Sequence, residues 1–376
     1  MGKVFGLEIL QAFHGDCLLL HHGTDDGVDV MVVDGGPTKT YKKHLRPRLL
    51  ELRDSRVGDQ TFNIEVMVSH ADGDHIQGII ELAEEIEERF DDGDEPLLDI
   101  FDLWHNSFDD VFGNAASKIA AALSQPNSFG TAVAASHHGG AFAASIKEGR
   151  TLRRIANRMG WSVNQPLGVI RNDMDAVAYG DGLTLTVVGP LAHRYEALHE
   201  KWDKEVKKHG WSSGDAAAAS RRFDTSVTNL SSIVCMAEMG GKSILLTGDA
   251  RGDDIVEGLE SLGYLDPGGS MTVDVLKVPH HGSDRNVSTE FFRRVKAKNY
   301  VISGDGSHHN PDETTLDMIV RARGHKARYT VHMTNRTGKF NLGDSIGSWL
   351  SRRPSNAKWK ASFGPTIIDL VGSVDD

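Results

Sequence analysis

The densest chemistry in the chain lies in six consecutive positions, His70-Ala71-Asp72-Gly73-Asp74-His75, where two imidazoles and two carboxylates share one short turn. Carboxylates this close repel and raise each other's pKa, whereas a bound divalent cation holds both ionised. Gly73 lets the backbone fold so that alternate side chains converge. A plainer reading, a helix start with Asp74 as N-cap and solvent-facing histidines, needs no metal. Three later turns carry the same residue types: Leu246-Thr247-Gly248-Asp249, Val278-Pro279-His280-His281-Gly282-Ser283 and Gly306-Ser307-His308-His309-Asn310-Pro311. A Gly-Asp pair alone is a common tight turn. One Asp and two His-His pairs, each behind a strand-like run, form a set that one sheet edge can gather. Asp249 is the candidate to bridge two metals, because a carboxylate can bind both.

The elements that must position these turns follow from hydrophobic pattern. Val4 to Ala12, Cys17 to His21 and Val28 to Asp34 read as an antiparallel opening that breaks at Gly35-Gly36-Pro37. Phe62 to Ser69 reads as a strand, and Ile76, Ile79, Ile80, Leu82, Ile86 and Phe90 recur behind it at helical spacing. A strand therefore feeds a helix through His70 to His75. Strands resume at Leu183 to Val188, Ser232 to Ala237, Ser243 to Thr247, Val273 to Val278 and Tyr300 to Ser303. Between the halves, residues 101–180 turn to Ala-rich helical stretches (Ala115 to Leu123, Ile146 to Met159) broken by Pro126, Gly139-Gly140 and Pro166, and are expected to form a helical insertion in a single domain over 1–376.

Composition bounds the function classes. The chain of 376 residues carries a formal net charge of −12, which argues against non-specific adhesion to nucleic acid. A local basic groove stays open in Lys147 to Arg158, with Arg150, Arg153, Arg154 and Arg158, and in Lys201, Lys204, Lys207 and Lys208; solvated helix faces are the plainer reading of both, as of the acidic run Glu81 to Glu95. No apolar run approaches the roughly 18 to 20 residues needed to span a bilayer, and Glu8 interrupts any secretory signal, so a cytoplasmic location with no membrane partner is expected. Cys17 and Cys235 lie in apolar runs without CxxC spacing and read as core thiols.

The motif His70-x-Asp72-x-Asp74-His75, with Leu245-Leu246-Thr247-Gly248-Asp249 and Leu276-Lys277-Val278-Pro279-His280-His281-Gly282-Ser283, resembles the metallo-β-lactamase fold, closest to the ComEC/Rec2-like hydrolase-domain branch. Gln11 to Leu20, Val32-Val33-Asp34-Gly35-Gly36 and Asn229-x-x-Ser232-Ile233-Val234 support the resemblance. It implies an α/β fold, a four-layer αββα sandwich of two mixed β-sheets. It implies two divalent metal ions, Zn2+ or Mn2+, with His70 and Asp72 serving one, Asp74 and His75 the other, and Asp249 between them. Asp72 stands where the more usual motif has His, and an added oxygen ligand shifts preference toward harder ions such as manganese. By the same analogy His280 or His281 assists catalysis beside Asp74 and His308 or His309 completes the metal set; the reverse, with His280 as ligand, stays open. The metal-binding His common to the fold at the end of the Leu183 to Val188 strand is missing, since Gly189-Pro190 stands there. His193, His105, His137 and His138 are available, although ordinary polar loop positions explain each.

What this implies is a metallohydrolase, with a metal-bridging hydroxide attacking a phosphodiester bond, as a nuclease or a phosphodiesterase. Ser283 and Asn310 could orient a His or a phosphate oxygen, though such residues commonly cap turns. The ComEC resemblance favours DNA; the acidic balance sits better with a nucleotide or cyclic dinucleotide. Alternatives are hydrolysis of a lactone, thioester or β-lactam in an apolar pocket of Trp104, Trp161 and Phe142, and a non-catalytic partner module that keeps its metals for folding.

Overall fold

The computed structural model describes residues 2–24, 27–55, 62–107, 109–110, 137–197, 231–338 and 342–371, the side chains of 137–143 excepted. The Ala115 to Leu123 stretch, the Lys201 to Lys208 run, Phe142 and the rings of His137 and His138 lie outside the described residues. Strands β1 (Lys3–Ile9), β2 (Leu18–Thr24), β3 (Gly27–Val33), β4 (Asn63–Met67), β5 (Asp99–Trp104) and β6 (Ser162–Val163) form one sheet, completed by β15 (Thr366–Asp369) beside β1. The second sheet runs β14 (Lys360–Phe363), β13 (Thr330–Met333), β12 (Val295–Ile302), β11 (Met271–Lys277), β10 (Lys242–Leu246), β9 (Val234–Met239), β8 (Thr184–Gly189), β7 (Val177–Ala178). Both sheets mix parallel and antiparallel pairs.

Near-continuous apolar runs suit strands covered on both faces. In β3, Val30 and Val32 face outward into a cluster shared with α1 (Arg46–Asp54), α2 (Gly73–Asp92) and α3 (His137–Met159), while Met31 and Val33 face inward. The inner cluster, with Phe5, Leu20, Met67, Trp104, Leu185, Cys235, Leu246 and Val275, lies between the sheets. A third cluster joins the far face of the second sheet to α4 (Gly252–Ser261), α5 (Thr289–Arg294), α6 (Glu313–Arg323) and α7 (Leu342–Ser351). Three apolar interfaces separate four layers, the αββα sandwich expected. Both cysteines are buried and unpaired. Trp104 and Trp161 are buried among core residues.

Residues 101–180, expected as a helical insertion, contain α3 but also β5, β6 and β7, which are laddered into both sheets. Short strands of two residues carry too little periodicity to be read from sequence. The last sixty residues, left without assignment by the motifs, add β13 and β14 to one sheet and return β15 to the other.

Four neighbouring strands of the first sheet, β3-β4-β5-β6, and five of the second, β10-β11-β12-β13-β14, run parallel. Their carboxyl ends release the turns at Asp34, His70, His105, Asp249, His280 and Ser303. Helix α2, which follows the His70 turn, is seated by glycine. The Gly35 amide donates to the His75 carbonyl at 2.7 Å and the Gly78 amide to Gly36 at 3.0 Å. A Cβ on Gly78 would lie 2.0 Å from the Gly35 carbonyl oxygen, a contact between backbones that cannot yield. Gly78→Ala is expected to cost about 3 kcal/mol or more by overpacking, and to lower the melting temperature. Gly347→Ala, inside α7 where a Cβ meets nothing within 4 Å, is the comparison, and is expected to leave stability unchanged or raise it by up to about 1 kcal/mol through helix propensity.

Candidate metal centre

Asp72 takes the N-cap position of α2, with extended φ −78° and ψ 144°, so the cap falls on Asp72 and not on Asp74. Its side chain makes no capping bond; it accepts instead from Ser145 Oγ of α3 at 2.9 Å. Asp74 lies in the first turn, where the helix dipole favours a carboxylate. Both acidic side chains are thereby left facing the strand ends.

Four histidines meet there with their tautomers fixed from behind. His75 Nδ1 donates to Asp34 Oδ2 at 2.8 Å. Ser69 Oγ donates to Asp34 Oδ2 at 2.8 Å and so accepts from His70 Nδ1 at 3.1 Å. His281 Nδ1 donates to the Ser303 carbonyl at 3.2 Å. Asn286 Nδ2 donates to the Asp249 carbonyl at 2.9 Å, which turns its Oδ1 toward His280 Nδ1 at 2.8 Å. With every Nδ1 occupied as a donor, a neutral ring presents a bare Nε2 lone pair.

Those Nε2 atoms converge on one carboxylate. Asp249 Oδ1 lies 3.3 Å from His75 Nε2 and 3.6 Å from His281 Nε2; Oδ2 lies 3.4 Å from His280 Nε2 and 3.9 Å from His70 Nε2. Asp74 Oδ2 is 3.4 Å from His281 Nε2, and Asp72 Oδ2 is 3.6 Å from His70 Nε2. The Nε2 atoms of His75 and His281 face each other at 3.2 Å, and His70 Nε2 and Asp249 Oδ1 are buried without a hydrogen-bond partner. Opposed lone pairs and orphaned buried atoms are what cation ligands look like without their cation.

Asp16, His75, Asp249 and His281 form a buried group whose ligand atoms lie within 4.8 Å of one another, a site that can hold a metal ion. Asp16 itself is claimed by Lys277, a buried ammonium that also donates to the Gly248 carbonyl at 3.2 Å. Asp16 stands on the Nδ1 side, 3.5 Å from His281 and 3.8 Å from His75. Asp16 and Asp34 thus form a layer of carboxylates behind the imidazoles, the usual way of orienting a metal-binding His.

Charges compensate across the cluster. Burial works against ionised Asp74 and Asp249, but His75 and His281, joined at Asp249 by His280, hold both carboxyls well below the usual range. Burial likewise disfavours a charged His75 or His281, yet Asp249, Asp34 and Asp74 raise the former, and Asp16 and Asp249 bring the latter up to about 9. Asp16 is drawn down to about 2 against its own burial, chiefly by Lys277.

Of the residues singled out by sequence, His70, Asp72, Asp74, His75, Asp249, His280 and His281 are brought together. His308 and His309 are not: among the described residues no ion pair joins either to a cluster carboxylate, and the His308 ring rests edge-on against His14 at 5.5 Å. His193 is surface-exposed and pairs with Glu257 at 3.3 Å. His105 is fully buried with neither ring nitrogen bonded, and burial, with Arg153 and His70, pushes it down to about 3. Asn310 Nδ2 donates to the His280 carbonyl at 3.4 Å, a turn-bracing role. Asp16, Asp34, Ser69, Lys277 and Asn286 are the residues that motif spacing alone does not mark as site residues; Lys277 lies within the Leu276 to Ser283 motif, Asp16 within Gln11 to Leu20 and Asp34 at the Gly35-Gly36 break.

No family model matches the chain. The curated ComE operon protein 3 of Bacillus subtilis (strain 168) is 30% identical over 128 residues, 34% of this chain and 15% of that protein, so the chain matches a small part of its relative. Among solved structures, the metallo-beta-lactamase fold protein YhfI from Bacillus subtilis is similar over 98% of this chain and 100% of that chain, at 10% identity and a TM-score of 0.43. Zn(2+)-bound PqqB from Methylobacterium extorquens is similar over 95% and 88% respectively, at 10% identity and a TM-score of 0.41.

Two outcomes follow from this geometry. Asp34→Asn keeps the shape but loses the charge behind His75 and is expected to weaken divalent-metal affinity about 10- to 100-fold, read by calorimetric titration. Without a cation, protonated His281 stabilises the fold fully below its ordinary 6.5, and that contribution is lost as pH rises through about 9. A metal binds the deprotonated ring, so the gap in melting temperature between metal-loaded and chelator-treated protein should widen from about pH 6 to about pH 9. A constant gap would contradict this.

Proposed function

We propose that the chain is a metal-dependent phosphodiesterase acting on a small, nucleotide-sized phosphodiester. The observation that carries this reading is the division of the Asp249 carboxylate, with His75 and His281 on Oδ1 and His70 and His280 on Oδ2. That donor set fits two cations. His70, Asp72 and His280 would hold one, Asp74, His75 and His281 the other, and Asp249 both, with His280 taking the place of the missing mid-chain His. When bound, a pair of divalent ions lowers the pKa of water and offsets charge on a transferring phosphoryl group. Three carboxylates and four imidazoles make a mixed oxygen and nitrogen set suited to Zn2+ or Mn2+.

The chain's own groups do the positioning. Asp34, Ser69, Ser303 and Asn286 lock the ring orientations, so that little reorganisation is needed as charge develops. Lys277 places fixed positive charge beneath Asp16 and Asp249.

Charge bears on substrate size. All four arginines of α3 are paired: Arg150 with Asp109, Arg153 with Asp110, Arg154 with Glu87, and Arg158 with Glu87 and Asp91. A polymer needs free basic groups along its backbone, and this helix spends its own on α2 and the loop after β5. A nuclease is the second reading, favoured by the ComEC-like motifs and the 128-residue similarity. The test is hydrolysis of bis(p-nitrophenyl) phosphate, a cyclic dinucleotide and single-stranded DNA by Mn2+- or Zn2+-loaded protein. Activity on the small esters is expected, with Asp249→Asn and Asp74→Ala losing about a thousandfold or more. Cleavage of DNA that falls steeply with salt would establish the second reading; activity on acyl esters alone would defeat both.

A further inference from the structure

With four imidazoles gathered on Asp249, none of them is left over to hold a substrate, and two others stand at the rim. His14 lies in the turn between β1 and β2 and His308 in the turn after β12; their rings meet edge to face, 5.5 Å apart at 74°. The His14 turn is pressed against the centre. A Cβ on Gly15 would fall 1.9 Å from the Asp74 carbonyl oxygen, and the Asp16 amide donates to that same oxygen at 3.2 Å. Ser303 Oγ donates to the Gly15 carbonyl, which ties the two turns together directly behind His281. Asp305, held by the Ser307 amide at 2.9 Å, and Asp74 both act on the His14 ring, as does His281.

Both turns hold bulky residues in the left-handed region: Phe13 at φ 55°, His308 at 63° and His309 at 70°. Such conformations persist only where surrounding contacts enforce them, and they gather at ligand clamps. The surroundings supply that enforcement here through Gly306, whose amide donates to the Asn310 carbonyl at 3.1 Å, and through the His309 amide, which donates to Gly306 at 3.1 Å. His14 is half-buried and His308 exposed, so the pair is reached from solvent.

We infer that His14 and His308 form a two-imidazole clamp at the mouth of the centre, each offering a ring N–H to an oxygen of the phosphodiester; this rests on the phosphodiesterase reading above. Neither ring is a metal donor in this arrangement, and metal content separates the two roles. The probe is dimethyl phosphate, a diester that survives the measurement, titrated calorimetrically into metal-loaded protein, alongside steady-state hydrolysis of bis(p-nitrophenyl) phosphate. His14→Ala and His308→Ala are each expected to weaken dimethyl phosphate binding and raise KM about tenfold, with bound metal per chain unchanged. His14→Gln, which keeps a donor, should recover most of the loss. The exposed His308→Ala variant keeps the test open if His14→Ala folds poorly. Unchanged binding and KM in both variants, with wild-type hydrolysis intact, would overturn the clamp and leave the phosphodiesterase reading standing; metal loss in step with activity would also overturn it. Absence of hydrolysis in the wild type, with binding still lost in the variants, would overturn the function and keep the clamp.

Discussion

The centre depends on one electrostatic problem and its solution. A fully buried carboxylate, Asp249, is met by four imidazole nitrogens whose rings cannot turn away, because each Nδ1 is already spent on Asp34, Ser69, Ser303 or Asn286. Lone pairs forced together in a low-dielectric pocket are costly unless something positive sits among them. Protons on His75 and His281 serve that purpose in the absence of a metal, and a divalent ion serves it better. The fold therefore stores a demand for positive charge at one point.

That demand can be met only if two sheets deliver their strand ends to the same edge. The first sheet contributes Asp34, Ser69, His70 and, through α2, Asp72, Asp74 and His75; the second contributes Asp249, His280, His281 and Ser303. Parallel strands make this natural, since their carboxyl ends all point one way. The dry layer between the sheets, from Phe5 to Val301, fixes their spacing, and close-packed cores transmit such spacing without slack. The Gly35-Gly78 contact has the same effect at the helix start, placing the His75 backbone to within the tolerance of a backbone hydrogen bond.

Charge outside the centre is spent rather than displayed. The arginines of α3 hold that helix to α2 through Glu87 and Asp91, and α3 in return reaches Asp72 through Ser145. Glu148, one turn further on, accepts from Gln77 at 2.6 Å and keeps its second oxygen buried and unpartnered; burial first, then Asp72 and Asp74, raise its pKa. The chain is acidic overall, and among the described residues the centre is lined by the carboxylates of Asp72, Asp74 and Asp249 together with imidazoles, unlike a groove built for a polyanion.

Much of this was written in local sequence. The His70 to His75 crowd, the Asp249 and His280-His281 turns and the strand that precedes each could be read because ligand type, turn residues and apolar runs are properties of a few neighbours. The sandwich itself followed from resemblance of those motifs. What the sequence left undecided were choices made across hundreds of positions. Whether His281 or His308 meets Asp74, whether His280 stands in for an absent ligand, and which carboxylates lie behind the rings all depend on strand order. The roles of Asp16 and Lys277, paired across 261 positions, are decided the same way. Residue type determines what a side chain can bind, but only the packing of two sheets determines which side chains share a cavity.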